Sequence, residues 1–365
     1  MEVGTAVIEH LQVIKLTNTT AIKEYKRALK SIACDSPYYC FELLNNSQDE
    51  EQTLCAAIYR NTAMEIMAVM PFFLRKIKKT TYFDVTSPWG YNGPFFNKEF
   101  GKEQQRLFWK QLHCWYERNN IISEFLRFNF YGNHKYYDGD VVHTLFNVQG
   151  NITDWDAFWS GQKPNTRNQF RKAEKLGLKF ELHYKTIPAE KIADFYQVYI
   201  GTMDRRSAVD SFYHTLEYFK AICANNTEKC AIGLVYDETG EPISTEFFLV
   251  SQDTLFSFLG GTDSNHFKKR PNEYLKISAI KWAGENGLTF YMIGGGLSNS
   301  KEDNLYLYKK KYFPHHPDID FYTGRKIINK EVYTLLLQQV GVVNAASFID
   351  KNGTSGFFPA YRQKV

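Results

Sequence analysis

The 365-residue sequence predicts an α/β (α+β) protein built from two tandem domains, each a mixed twisted sheet flanked by helices. Three observations predict it. The order strand, strand, strand, helix, strand can be read twice along the chain, and repeated element order at similar spacing is the mark of two copies of one fold. The length suits two domains of ordinary size. A composition that is 44% hydrophobic and 16% aromatic supplies packed cores for both.

In the first copy, apolar runs at Thr53 to Tyr59, Glu65 to Pro71 and Thr80 to Val85 read as strands, with Arg60-Asn61-Thr62 as the first turn. A loop of turn formers and aromatics follows, Ser87-Pro88-Trp89-Gly90-Tyr91-Asn92-Gly93-Pro94. Helix Glu103 to Arg118 comes next, with Leu107, Phe108, Leu112 and Trp115 as its apolar stripe, and then strand Glu124 to Phe130. Gly150-Asn151-Ile152-Thr153-Asp154 reads as a linker ending in a helix cap. The domains expected are therefore 1–150 and 151–326, with 327–365, including a helix from Lys330 to Val340, returning to complete the first.

In the second copy the strands are Cys230 to Tyr236, Ile243 to Val250 and Thr254 to Leu259. The next helix begins after Pro271, runs from Asn272 to Asn286 and stops at Gly287, as helices that start at proline and end at glycine do. Strand Leu288 to Ile293 follows and closes on Gly294, Gly295 and Gly296. Glycine at a strand end lets backbone or ligand come close. A strand, a glycine-containing loop and a helix N-terminus in that order can hold an anion or acyl carbonyl on backbone N–H groups. Gly260, Gly261, Thr262, Lys269 and Arg270 are the donor-binding candidates on that reasoning.

Other classes are excluded or weakened. With 44 Lys plus Arg against 40 acids, the charge of +4 does not mark a nucleic-acid binder. The six cysteines form no C-x-x-C pair and read as reduced thiols. The N-terminus lacks the basic and apolar blocks of a signal peptide, and no run reaches the roughly 20 apolar residues of a membrane helix. A cytoplasmic protein is expected. No Walker or Rossmann fingerprint exists, and adjacent His315 and His316 with Asp318 and Asp320 lack the i, i+4 spacing that would favour a metal, so none is assigned.

A three-strand meander, a crossover helix and a final parallel strand form the skeleton of the GNAT acyltransferase fold. The segments DVTSPWGYNGP (84–94), NTRNQFRKAEKLGLKF (165–180), FYQVYIGTMDRRSAVDSFY (195–213), FLGGT (258–262) and GGG with LYLYKKKYF (294–313) then resemble the FemABX-type aminoacyltransferases. That family has two GNAT-like domains. The resemblance implies transfer of an aminoacyl or acyl group to an amine of a cell-envelope precursor or nucleotide-sugar, with charged tRNA as a candidate partner and peripheral membrane association left open. It implies no tightly bound cofactor: aminoacyl-tRNA or acyl-CoA would be the co-substrate. The Q/R-x-x-G-x-G/A pyrophosphate loop of CoA-dependent enzymes is absent, since His266 to Pro271 contains no glycine, and this favours aminoacyl-tRNA.

Lys309 sits where the family's F-K-x-x-F motif would place its lysine, with Tyr308 and Tyr312 at the aromatic positions, and is assigned to stabilise the oxyanion of acyl transfer. A cation beside aromatic faces also gains from the rings. Glu246, inside an apolar strand on the face of Ser244 and Phe248, reads as a general base or amine anchor, or as a solvent-facing residue. Arg167 and Arg171, four apart on one helix face, suit a phosphate or carboxylate. With Arg205, Trp89, Tyr91 and Tyr308 they form the substrate-binding set. Two alternatives stand beside aminoacyl transfer: a CoA-dependent N-acetyltransferase, and a non-catalytic scaffold that binds a glycan or nucleotide-sugar.

Overall fold

A computed structural model describes residues 10–46, 51–341 and 356–363. The first nine residues of the stretch read for a signal peptide lie outside them. The chain divides into two compact units: Met1–Cys34, Ser47–Leu145 and Asp320–Val365 form one, Asp35–Asn46 and Phe146–Ile319 the other.

In chain order, β1 (Leu11–Lys15) and α1 (Thr19–Ser31) belong to the first unit and α2 (Phe41–Leu44) to the second. The first unit resumes with β2 (Gln52–Arg60), β3 (Ile66–Lys76), β4 (Phe83–Thr86), the two-residue β5 (Phe95–Phe96), α3 (Lys102–Arg118) and β6 (Ile121–Arg127). From within β7 (Asp140–Asn151) the chain builds the second unit: α4 (Trp155–Gly161), α5 (Pro164–Lys175), β8 (Lys179–Tyr184), α6 (Ala189–Arg206) and α7 (Leu216–Asn225). There follow β9 (Cys230–Tyr236), β10 (Pro242–Val250), β11 (Thr254–Thr262), α8 (Pro271–Glu285), β12 (Phe290–Gly295) and α9 (Asn304–Lys310). Strand β13 (Asp318–Ile327) and α10 (Lys330–Gln339) return to the first unit.

The strand order is β1-β2-β3-β4-β6-β13 in the first unit and β8-β9-β10-β11-β12-β7 in the second. In each, three antiparallel pairings are followed by one parallel and one more antiparallel. The β-β-β-α-β duplication expected from the sequence is therefore a duplication of topology. The parallel pairs are the ones joined by a helix, α3 or α8, as a parallel connection requires.

Two local expectations need correction. Gly150 and Asn151 are no linker: they end β7, opposite Tyr291 and Phe290 of β12. Gly150 is needed there because the ring of Phe313 lies where a Cβ would stand. Asp154 does cap α4, its Oδ1 accepting from the N–H of Ala157 at 2.9 Å. Residues 35–46, which the sequence reading left in the first domain, are held in the second unit by their own contacts. Lys229 Nζ donates to the carbonyl of Asp35, Tyr218 Oη donates to the carbonyl of Leu43 at 3.1 Å, and the Tyr38 ring meets Phe256 edge-on at 5.4 Å.

Helix α3 shows how packing overrides a simple apolar count. Its buried residues are Phe108, Trp109, Leu112, His113 and Tyr116, whereas the expected stripe residue Leu107 is exposed. The i, i+3, i+4, i+7 stripe is Trp109, Leu112, His113 and Tyr116, two of whose members carry polar ends. Those ends meet a carboxylate on β6. Glu124, fully buried, accepts from Tyr116 Oη at 2.6 Å and Tyr137 Oη at 2.9 Å, and lies 3.2 Å from His113 Nε2. The other ring nitrogen of His113 faces Asp138 at 3.0 Å, and Asp138 is bound by Lys326 Nζ at 2.6 Å.

Burial alone would lower the pKa of His113, but the hydrogen bonds and charges of Asp138 and Glu124 outweigh it, and the net direction is up. A histidine raised on folding stabilises fully below its unfolded pKa of about 6.5, and that contribution is lost as pH rises through the higher folded value. The stability gap between the protein and His113→Gln, measured by urea unfolding, is expected to be widest near pH 6 and to narrow toward pH 9. A gap that does not change with pH would contradict the linkage.

Candidate active site

In the second unit, β11 and β12 pair in parallel only at Thr254 with Phe290, Leu255 with Tyr291 and Phe256 with Met292. Beyond that the strands part. Strand β11 continues to Thr262 along β10, while β12 turns to β7, with Gly294 opposite Val148 and Gly295 opposite Asn147. The first unit keeps its equivalent strands joined: Thr86 pairs with Phe125, the N–H of Ser87 donates to the carbonyl of Phe125 at 2.8 Å, and Asn92 bridges Phe128. An opening between parallel strands exists at this position in the second unit alone among the described residues.

The floor of the opening is polar. Glu246, 4% exposed, accepts from Lys276 Nζ at 2.5 Å and from Ser257 Oγ, and Lys276, 7% exposed, also donates to Ser257 Oγ at 2.8 Å. A β-bulge brings Ser257 into this group. The register passes from Phe247 opposite Leu259 to Phe248 opposite Ser257, which leaves Phe258 over. With no extra residue Ser257 would oppose Leu249 and point to the other face of the sheet. Glu246 Oε2 is buried with no hydrogen-bond partner among the described residues, and the buried Tyr291 hydroxyl lies by Ser257.

The wall is made by the glycine run and α9. Gly294 takes a left-handed φ of 86°, and Gly296 leaves room for the Asp303 carboxylate, which would stand 2.5 Å from a Cβ there. Asp303 Oδ1 accepts from the N–H groups of Leu305 and Tyr306 at 2.9 Å, and Oδ2 from those of Leu297 and Ser298 at 3.1 Å. One carboxylate thus caps α9 and fixes the loop before it. Lys309, half-buried on α9, donates from Nζ to the carbonyl of Gly295 at 2.6 Å. Burial, and then the Lys276 cation, pull its pKa down to about 8 against the opposing pull of Glu246 and Asp303. Its amine faces the interior.

Tyr308 belongs to the same wall: its hydroxyl accepts from Asn272 Nδ2 at 2.7 Å and lies 3.3 Å from Tyr312 Oη. The cation held on these two rings is Lys311, with Nζ 4.0 and 4.9 Å from their centroids, and Lys311 also bonds Glu273 at 3.3 Å. The ring contact expected of Lys309 is made two residues later, which frees Lys309 to reach the strand.

The remaining expected residues occupy other places. Gly260 opposes Glu246 across the sheet, and a Cβ on it would stand 2.6 Å from the carbonyl of Thr245. Gly261 admits α6, because a Cβ would meet Thr202 Oγ1 at 2.5 Å and the carbonyl of Val198 at 2.7 Å. The N–H of Thr262 is bound to Thr202 Oγ1 at 3.0 Å. These glycines have a packing reason of their own. Lys269 is drawn to Glu238 at 2.8 Å and Asp237 at 3.4 Å, and exposed Arg270 takes a left-handed φ of 59° just before α8. Arg167 is half-buried on α5, one turn before exposed Arg171, whose guanidinium lies 5.7 Å from the centre of the Trp159 ring. Neither makes an ion pair with a described residue. Arg205, in the last turn of α6, lies over Phe267 at 5.1 Å. Trp89, 51% exposed, and Tyr91, set against Phe130 at 4.3 Å, belong to the first unit.

The structure therefore gathers Lys309, Glu246, Gly260 and Tyr308, and adds Lys276, Ser257 and Tyr291, which the sequence reading passed over. Lys276 had a readable signal, since it lies at i, i+3, i+4, i+7 spacing with Ala279, Ile280 and Ala283 on the buried face of α8. Removing one partner of a buried ion pair leaves a bare charge and costs about 3–5 kcal/mol. Lys276→Met is expected to lose about that much in urea unfolding, and Glu246→Gln/Lys276→Met to recover most of it. A loss under ~1 kcal/mol for the single variant would mean the pair is open to water.

The model for the Acetyltransferase (GNAT) domain matches residues 160–309, a span that runs from α4 through Lys309. Among solved structures, FemX aligns with a TM-score of 0.60 at 14% identity over 89% of this chain and 99% of its own. The C-terminal domain of a putative lysylphosphatidylglycerol synthetase from Agrobacterium fabrum aligns at 0.59 and 11% identity over 89% and 97%, respectively. L-PGS from Bacillus licheniformis aligns at 0.57 and 13% over 88% and 96%. No curated protein matches the sequence. The matched structures span both units, and the fold of this chain is the one it shares with FemX and these synthetase domains.

Proposed function

We propose that the protein is an N-acyltransferase that moves an aminoacyl or acyl group from an activated donor onto an amine of a cell-envelope precursor or sugar. The observation that carries this reading is Lys309: a half-buried amine at the mouth of two parted parallel strands, fixed to the carbonyl of Gly295 beside the buried Lys276–Glu246 ion pair. Acyl transfer to an amine passes through a tetrahedral oxyanion, and a cation beside it in a low-dielectric site stabilises that charge far better than one in water. Glu246, with one oxygen unpartnered, is the anchor for the acceptor's N–H groups. The likeness to FemX and to the synthetase domains supports the reading at the level of fold.

Aminoacyl-tRNA is the donor we favour. The segment before α8 is wound into a 3₁₀ helix, Ser264–Lys269, that ends in left-handed Arg270, where a CoA-dependent enzyme of this fold would present a glycine loop to the pyrophosphate. Acyl-CoA is the runner-up. Incubation with total aminoacyl-tRNA or with acetyl-CoA, followed by thermal unfolding, separates the two, because a ligand that binds only the folded state raises its melting temperature. Protection by acetyl-CoA alone would reverse the preference, and protection by neither, with UDP-N-acetylglucosamine protecting, would favour a binding protein.

Arg167 and Arg171, four apart on α5, are assigned to the acceptor's phosphates, and Arg171→Ala is expected to weaken the binding of a nucleotide-sugar diphosphate in calorimetry without altering the fold. Lys309→Met is expected to lower turnover on the order of 100- to 1000-fold with little change in KM, since the interaction it removes exists mainly in the transition state. A variant within about threefold of the parent would end the assignment.

A further inference from the structure

One buried group of the second unit has no part in the oxyanion role. Lys276 is an ammonium in the interior of a helix–sheet contact, and its only described partners are Glu246 and Ser257. It lies one turn beyond Asn272 and Glu273, the two α8 residues that bind Tyr308 and Lys311, and so sits beneath the helix that carries Lys309. Two lysines thus converge on one carboxylate.

We propose that Lys276 is a positioning residue for the transfer step: pinned by Glu246 and Ser257 beneath α9, its cation repels the proton on Lys309 and lets that one lysine serve first as proton acceptor and then as cation. The proposal rests on the acyl-transfer reading. As the acceptor's R–NH2 forms its bond to the acyl carbon, the carbonyl π electrons move to oxygen and neutral Lys309 takes one proton from the nitrogen. The ammonium so formed lies beside the oxyanion. When the oxyanion collapses, the bond to the donor's leaving group breaks, and Lys309 returns the proton to that group. One amide and one protonated leaving group result, and Lys309 ends as it began.

The charged groups that act on Lys309 are Lys276 of α8, Glu246 of β10 and Asp303 of the turn before α9. Around them stand Ser257 of β11, Tyr291 of β12, Glu273 of α8, and Tyr308, Lys311 and Tyr312 from α9 and its end, engaged with one another and with Glu246. Of these, Lys276 is the cation that acts on Lys309, and it opposes Glu246 and Asp303. A lysine that titrates near 8 is about one-tenth neutral at pH 7, enough for a base, where an ordinary lysine is neutral in roughly one part in several thousand.

The test follows the Lys309 ε-CH2 signal by NMR in the full chain labelled with ¹³C-lysine, assigned with Lys309→Met, over pH 6 to 11. The midpoint is expected near 8 in the parent, about one unit higher in Lys276→Met, below the parent in Glu246→Gln, and back near the parent in Glu246→Gln/Lys276→Met. If Lys276→Met does not fold, the comparison of Glu246→Gln with the double variant carries the same difference. Equal midpoints overturn the proposal. Transfer from aminoacyl-tRNA or acetyl-CoA should track the midpoints: about tenfold slower at pH 7 in Lys276→Met, recovering by pH 9. A shifted midpoint with an unshifted pH–rate profile also overturns it, whereas absence of transfer in the parent defeats the acyl-transfer reading and leaves the lysine coupling measured.

Discussion

A carboxylate in the middle of an apolar strand must be answered by a cation, and in the second unit Lys276 answers Glu246 at 2.5 Å. Much else in that unit is arranged around this pair. The extra residue in β11 turns Ser257 toward it, and α8 lies close enough to the sheet to carry a lysine into its core. A pair of this kind adds little net stability, because desolvation consumes most of the attraction. What it supplies is a fixed positive and a fixed negative charge in a place that water does not reach.

The two halves of the duplication show how one topology can be used in two ways. Both place acidic groups beside the parallel strand pair. In the first unit Glu124 is fully satisfied by Tyr116, Tyr137 and His113, and the strands stay joined past it. In the second, Glu246 keeps an oxygen without a partner among the described residues, and the strands separate. Complete satisfaction yields a rigid core, while an incomplete set at an opening yields a place for a ligand to supply the missing partner.

Much of this architecture was legible because its signals are local. The meander strands, Pro271 at the start of α8 and Asp154 as a cap follow from alternation and from turn and cap chemistry. Glu246 was legible as a carboxylate inside an apolar strand, and Lys309 through its place in a run that resembles the F-K-x-x-F motif of the FemABX-type enzymes. The partners were not, since Ser257 depends on a bulge that shifts the pairing by one residue, and Lys276 depends on which face of α8 is turned inward. Gly261 carries a related ambiguity: a strand-end glycine can admit a ligand or a neighbouring helix, and here the neighbour is α6. Lys311 in place of Lys309 on the tyrosine rings is a question of helical phase that three consecutive lysines cannot reveal.

The strand exchange between the copies sets an order of events during synthesis. The sheet of the first unit is completed by β13, which follows the whole second unit in the chain, whereas the second sheet takes the end of β7, made before its own core. Every residue of the second unit has been made by Ile319, while β6 must wait for Thr323 to Ile327 to cover its outer edge. The half that starts first is finished last. Until then its edge strand lacks a partner, so a product truncated after Ile319 would keep the candidate active site yet carry an unpaired, aggregation-prone edge.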